Sequence, residues 1–149
     1  MGLEQDIKQE KFANEFEKSM VNILFTGSWL HNQNSSRLKP HGITPEQFNV
    51  LRILRGSSPK PLMLAEITSR MIDKNSNATR LVEKLRQKGL LKREICDNNR
   101  RQVDISITEK GLALLKKIDD DSEAWLESMK TISKAEAAEL NRILDKLRS

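Results

Sequence analysis

Between Asn75 and Lys88 the chain spaces Asn75, Asn77, Thr79, Arg80, Lys84, Arg86 and Lys88 along one face of a helix. Ala78, Leu81, Val82 and Leu85 recur at i, i+3, i+4 and i+7 on the other face. Amides and guanidinium groups of this kind make directional hydrogen bonds: asparagine can read adenine, and arginine can read guanine or grip a phosphate. A second polar group follows. Gly89 closes the helix pattern, Leu90 to Ile95 reads as a strand, Asp97-Asn98-Asn99 as a turn, and Arg100-Arg101 stand just beyond it. A polar helix face with a basic hairpin tip beside it suits duplex DNA, the helix in a major groove and the tip at phosphate or the minor groove.

The charge is concentrated in the same stretch. From Lys74 to Arg101 nine basic residues (Lys74, Arg80, Lys84, Arg86, Lys88, Lys92, Arg93, Arg100, Arg101) face three acids (Glu83, Glu94, Asp97), a balance of +6 in a chain whose whole charge is +5. The rest of the chain is therefore slightly acidic. A localised excess is the footprint of a polyanion partner, not of a uniformly basic surface.

Catalytic chemistry finds no comparable constellation. No nucleophile–base pair and no glycine-rich phosphate loop stands in the sequence, so an enzyme is not expected. With His31, His41 and Cys96 as the whole complement of His and Cys, a metal site is not expected, and no cofactor is. Asp119-Asp120-Asp121 are consecutive on a helix, so their carboxylates diverge by about 100° each and read as a solvated face. Double-stranded RNA would attract the same charge, but a helix cannot read its narrow major groove.

These groups need a scaffold, and 149 residues suffice for one domain with one substantial core. Hydrophobic residues make up 37% and charged residues 32%, polar for a globule but periodic, so not a disordered composition. Some of the amphipathic helices would complete their burial only in a dimer. The single Cys96 excludes an intramolecular disulfide and points to a reducing compartment. No apolar run of about 18 residues predicts a membrane span, and the N-terminus shows no signal core, so a cytoplasmic protein is expected.

In chain order, residues 4–31 read as a long helix with a stripe of Phe12, Phe16, Met20, Ile23, Leu24 and Gly27, assigned to core or dimer packing. Phe25, Trp29 and His31 are the alternative reading, as the lining of a small-molecule pocket. Residues 32–42 are rich in loop formers, and Pro40 and Gly42 stop any helix running on through Arg37-Leu38. Thr44-Pro45-Glu46-Gln47 is a capping box with proline at the first helical position, opening a helix that ends at Gly56. Pro59 and Pro61 allow at most a short edge strand. Leu62 to Met71 is a short helix buried through Leu64, Ile67 and Met71, and Asp73 or Asn75 caps the next one. Val103, Ile105 and Ile107 alternate as the partner strand of 91–95, the turn spanning Cys96 to Arg101. Thr108 caps a helix carrying Leu112, Leu115, Ile118, Trp125 and Met129, and Ser133 with Glu136 caps the last one, whose seam is Leu140, Ile143, Leu144 and Leu147.

The order of these elements resembles the MarR family of winged-helix transcriptional regulators over nearly the whole chain. The match is carried by Ile43 to Leu51, Leu64 to Ile67, Ala78 to Leu85, Lys88 to Arg93, Arg100 to Val103 and Ile107 to Gly111. The resemblance implies a mainly α fold with a small antiparallel β wing: a single domain over 1–149, with 44–111 a winged helix-turn-helix lobe and 1–40 and 112–149 dimerisation helices. It implies a homodimer acting as a repressor on a pseudo-palindromic operator, released by a small aromatic or anionic effector bound between the dimerisation helices and the lobe. Its DNA-binding residues would be Lys74, Asn75, Ser76, Asn77, Thr79, Arg80 and Lys84 around the recognition helix, with Arg100 and Arg101 at the wing. The chain departs from the family pattern at Asn99, where an aspartate usually precedes the two arginines. An amide cannot form the Asp–Arg ion pair, which leaves Asp97 as a substitute or a more mobile wing. Cys96 sits near the wing and reads as incidental. Asn99 also supports the alternative, a ligand-sensing or protein-interaction module of the same fold with weak or no DNA binding.

Overall fold

The computed structural model describes residues 2–96 and 98–149, with Arg100 described by its backbone alone. The elements are helices α1 (Leu3–Asp6), α2 (Glu15–Leu38), α3 (Pro45–Ser57), α4 (Leu64–Arg70) and α5 (Ala78–Gln87), strands β1 (Leu91–Cys96) and β2 (Asn99–Ile107), and helices α6 (Glu109–Asp121), α7 (Glu123–Ser128) and α8 (Lys134–Arg148). A mainly helical chain with one antiparallel ribbon is the architecture expected.

The caps define the lobe. Thr44 accepts from the Gln47 amide at 3.2 Å while the Gln47 side chain accepts from the Thr44 amide at 3.1 Å, closing the capping box of α3. Thr108 accepts from Gly111 at the start of α6, and Ser133 from Glu136 at the start of α8. Behind them lies one core, in which Leu38, Leu51, Leu54, Ile67, Leu85, Leu91, Ile105, Leu115 and Ile118 are buried. Leu91 pairs with Ile107 and Ile95 with Val103 in the ribbon.

Several boundaries differ from the sequence expectation. The first helix does not run 4–31. It breaks after α1, Lys8 takes a left-handed φ of 54°, and α2 restarts at Asn14, whose side chain accepts from the Glu17 amide. At its other end α2 does continue through Arg37 and Leu38, the extension the sequence allowed, with Leu38 fully buried in the core; Gly42, at φ 74°, then turns the chain. The fourth helix begins at Leu64 and not Leu62, because Leu62 forms an antiparallel bridge with Ile105, its amide donating at 2.9 Å and its carbonyl accepting at 2.8 Å. Neither Asp73 nor Asn75 caps α5. Asn77 does, accepting from the Arg80 amide at 3.1 Å, so residues 74–77 form the turn before the helix. The wing turn is shorter than 96–101, since Asn99 to Arg101 already belong to β2. The helix after Thr108 divides at Ser122, whose hydroxyl donates to the Ile118 carbonyl at 2.5 Å and accepts from Arg37 at 2.8 Å.

Candidate nucleic-acid interface

The recognition element is a strongly two-faced helix. Ala78, Val82 and Leu85 bury one side of α5 against α3, α4 and β1, which forces Thr79, Arg80, Lys84, Arg86 and Gln87 to the surface. The turn before it is fixed locally: the Asp73 carboxylate accepts from the Asn75 amide at 2.9 Å, the Lys74 ammonium donates to the Ser69 carbonyl, and the Asn49 side chain accepts from the Ile72 amide at 2.9 Å. Of the residues expected here, Lys74, Asn75, Asn77, Thr79, Arg80 and Lys84 are exposed. Ser76 is different, because its hydroxyl is buried and has no hydrogen-bond partner among the described residues. Asn77 spends its carbonyl oxygen on the cap, leaving its amide nitrogen as the free donor.

The wing stands on one flank of this helix. Thr79 and Glu83 of α5, Arg93 of β1 and Arg101 of β2 line a groove of about 500 Å³ whose floor includes Leu64, Val82 and Ile105. Arg80 and Lys84 lie on the other flank, above a shallower depression bounded by Thr44, Glu46 and Gln47. At the tip the Asn99 side chain accepts from the main-chain amide of Arg101 at 3.1 Å, so the amide that replaces the family's aspartate serves the backbone. Asp97 and the Arg100 side chain lie outside the described residues.

Electrostatically the surface is open. Arg80, Lys84 and Arg101 take part in no ion pair among the described residues, whereas Glu83 is fully engaged. Its carboxylate accepts two bonds from Arg86, at 2.6 and 3.0 Å, and one from Arg93 at 3.2 Å. The bonds from Arg86, with its charge and that of Arg93, hold the Glu83 carboxyl at about 2, so it stays ionised at neutral pH.

A second groove, of about 370 Å³, separates α2 from the lobe. Gly27, Leu30, His31, Asn34 and Arg37 present one face of α2 to Phe48, Asn49 and Arg52 of α3 and to the turn at Asp73 and Ser76. The Arg37 guanidinium lies 5.1 Å from the Phe48 ring and 4.7 Å from the Trp125 ring, and donates to Asn34 and Ser122 at 2.8 Å each. Burial and the neighbouring Arg52 charge push its pKa down. His31 lines this groove. Phe25 and Trp29 do not: helical geometry puts them on the reverse face of α2, where Trp29 is 43% exposed. Arg37, Phe48 and Arg52 were missed in the sequence, although the spacing of Gly27, Leu30, His31, Asn34 and Arg37 was the available signal.

Asp119, Asp120 and Asp121 do diverge, each to a different basic side chain: Arg55 at 2.7 Å, Lys116 at 3.4 Å and His41 at 3.3 Å. Among the described residues no group of His, Cys, Asp and Glu could hold a metal, and no helix is long and apolar enough to cross a membrane.

A three-helix lobe whose third helix is exposed and basic, with an adjoining β ribbon, is a winged helix-turn-helix. The sequence pattern of the MarR family matches residues 43–103. The chain is 31% identical over 111 residues to the HTH-type transcriptional regulator MhqR of Bacillus subtilis, covering 74% of this chain and 75% of that one. It is 29% identical over 134 residues to the transcriptional repressor MprA of Escherichia coli, covering 85% and 76%. A mutant MarR from Escherichia coli, solved in complex with operator DNA, superposes with a TM-score of 0.79 over 93% of this chain and 99% of that one, at 23% identity. The chain belongs to the MarR family and is a winged-helix transcriptional regulator.

Proposed function

We propose that the protein is a homodimeric repressor that lays α5 in the major groove of a pseudo-palindromic operator, with the wing on the adjoining backbone. The carrying observation is the placement of Arg80, Lys84 and Arg101, exposed cations without carboxylate partners among the described residues, on the helix and ribbon that would meet the duplex. Asn75, Asn77, Thr79 and Arg80 supply donors for base edges, and Lys74, Lys84 and Arg101 charge for phosphates. The name of the relative MprA supports the repressor role. The dimer is supported by the apolar residues that α2 and α8 leave uncovered: Phe16, Met20 and Leu24 on one, Leu140, Ile143 and Leu147 on the other. The groove at Arg37, Arg52 and Phe48 suits an aromatic anion, which would press on Asp73 and Ser76 in the turn that sets α5. Such a ligand would couple effector binding to operator release by favouring one placement of that turn.

The test is an operator titration at several salt concentrations. Arg80→Ala and Arg101→Ala are each expected to weaken binding and to flatten the salt dependence by about one counterion for each phosphate that the variant leaves unneutralised. Unchanged affinity and slope in both variants would overturn this placement, and no binding of genomic fragments by the unaltered protein at micromolar concentration and low salt would instead favour the ligand-sensing or protein-interaction reading that Asn99 suggests.

A further inference from the structure

Glu83 is a carboxylate on a face otherwise built of cations. If only charge mattered it would oppose a polyanion, and its removal would tighten binding. Its geometry argues for a different role. Glu83 reaches from α5 across the groove to Arg93 of β1, while Arg86 grips it from the same helix. Arg93 is the register partner of Ile105, and Ile105 is the residue that Leu62 bridges through two backbone hydrogen bonds. The ribbon is thus held at one level from both edges, by Leu62 on β2 and by Glu83 on β1. Beyond that level the tip carries Arg101, and the residue that would hold an ion pair there is the neutral Asn99, engaged with the backbone.

We propose that Glu83 is a positioning residue for DNA binding: with Arg93 it forms the strut that fixes the wing against α5 and so sets the spacing between Arg101 and the helix face. This rests on the operator-binding reading above. The strut replaces, one strand further in, an ion pair that Asn99 cannot make at the tip. The exposed ends of both side chains limit its strength, so the effect is graded and not all-or-none.

Two measurements test it. In operator titrations Glu83→Gln and Arg93→Gln should each weaken binding by about threefold, with the double variant no weaker than either single one. Tighter or unchanged binding by Glu83→Gln overturns the strut, because charge relief alone gives that sign. The second measurement needs no DNA. Spin labels at Ser69→Cys on α4 and Asn98→Cys at the wing turn, in a Cys96→Ser background, report the wing-to-lobe distance. Glu83→Gln should broaden that distribution while leaving the thermal melt in place. An unchanged distribution overturns the strut. A broadened one in a protein that binds no operator upholds the strut and removes the DNA reading instead.

Discussion

The winged lobe and the terminal helices use the same amphipathic spacing and reach opposite outcomes. In the lobe, α3 buries Phe48, Val50, Leu51 and Leu54, and α5 buries Ala78, Val82 and Leu85. In the terminal helices, 24-residue α2 buries only its last residue, Leu38, and 15-residue α8 buries none. Phe16 stays 82% exposed and Leu147 55%. Periodicity states that a face requires cover; it does not state whether the cover belongs to the same chain. In the lobe the sequence supplies α4, β2 and α6 as neighbours, and the core closes. At the termini that requirement is unmet within one chain, and the second copy of the proposed dimer would meet it.

The largest test of this contrast is truncation of matched leucines. Leu54 is 1% exposed in the lobe core, so Leu54→Ala should cost about 2–5 kcal/mol of unfolding free energy through lost transfer and the residual cavity. Leu24, 74% exposed, should cost little in the monomer when changed to alanine. Urea unfolding at a concentration where the chain is monomeric measures both. Similar costs would show that α2 packs on its own chain after all.

Next in size is the partner itself. Ile143 lies half-exposed in the seam of α8. Covering such a side chain is worth about 1.5–3 kcal/mol, and a lysine there would in addition carry a charge into the interface. Ile143→Lys should therefore raise the dimer dissociation constant by roughly tenfold or more, read by sedimentation across a concentration series. The lobe's far-UV spectrum should be unchanged. A variant that dimerises like the wild type would place the interface elsewhere.

How legible these regions were in the sequence follows the same division. The helix starts were written in short-range chemistry: Thr44 with Gln47 and Thr108 before Gly111 in the lobe, and Ser133 with Glu136 at α8. Each is a bond between near neighbours, so the local string suffices. The misplaced boundaries depend on distant partners. Leu62 leaves its helix because Ile105, far along the chain, bridges it. The candidate interface divides likewise. The exposure of Arg80, Lys84 and Arg101 was readable from charge and position, but the Glu83–Arg93 pair joins residues that only the fold of the ribbon brings together. Of the three residues named for a pocket, His31 lines the groove between α2 and the lobe, while Phe25 and Trp29, chosen for aromatic character, fall at other angles around α2.

The smallest test asks whether the two regions unfold together. Thr108 accepts from the Gly111 amide at 3.1 Å and donates to the Gly89 carbonyl at 2.7 Å, tying α6 to the end of α5. Ser133 accepts from the Glu136 amide at 3.1 Å, and among the described residues its hydrogen bonds stay within α8. Each cap is worth about 1 kcal/mol. If the lobe is one cooperative unit, Thr108→Ala lowers the global unfolding free energy by that amount and the exchange of every core amide follows. Ser133→Ala in the monomer should instead speed exchange in α8 alone, because that helix opens without the lobe. Adding enough protein to form the dimer should then merge the two responses, since α8 becomes part of a packed core only when its seam is covered. Hydrogen exchange at two protein concentrations measures this directly, and an α8 that exchanges with the lobe even in the dilute monomer would mean that the terminal helices do not depend on a second chain.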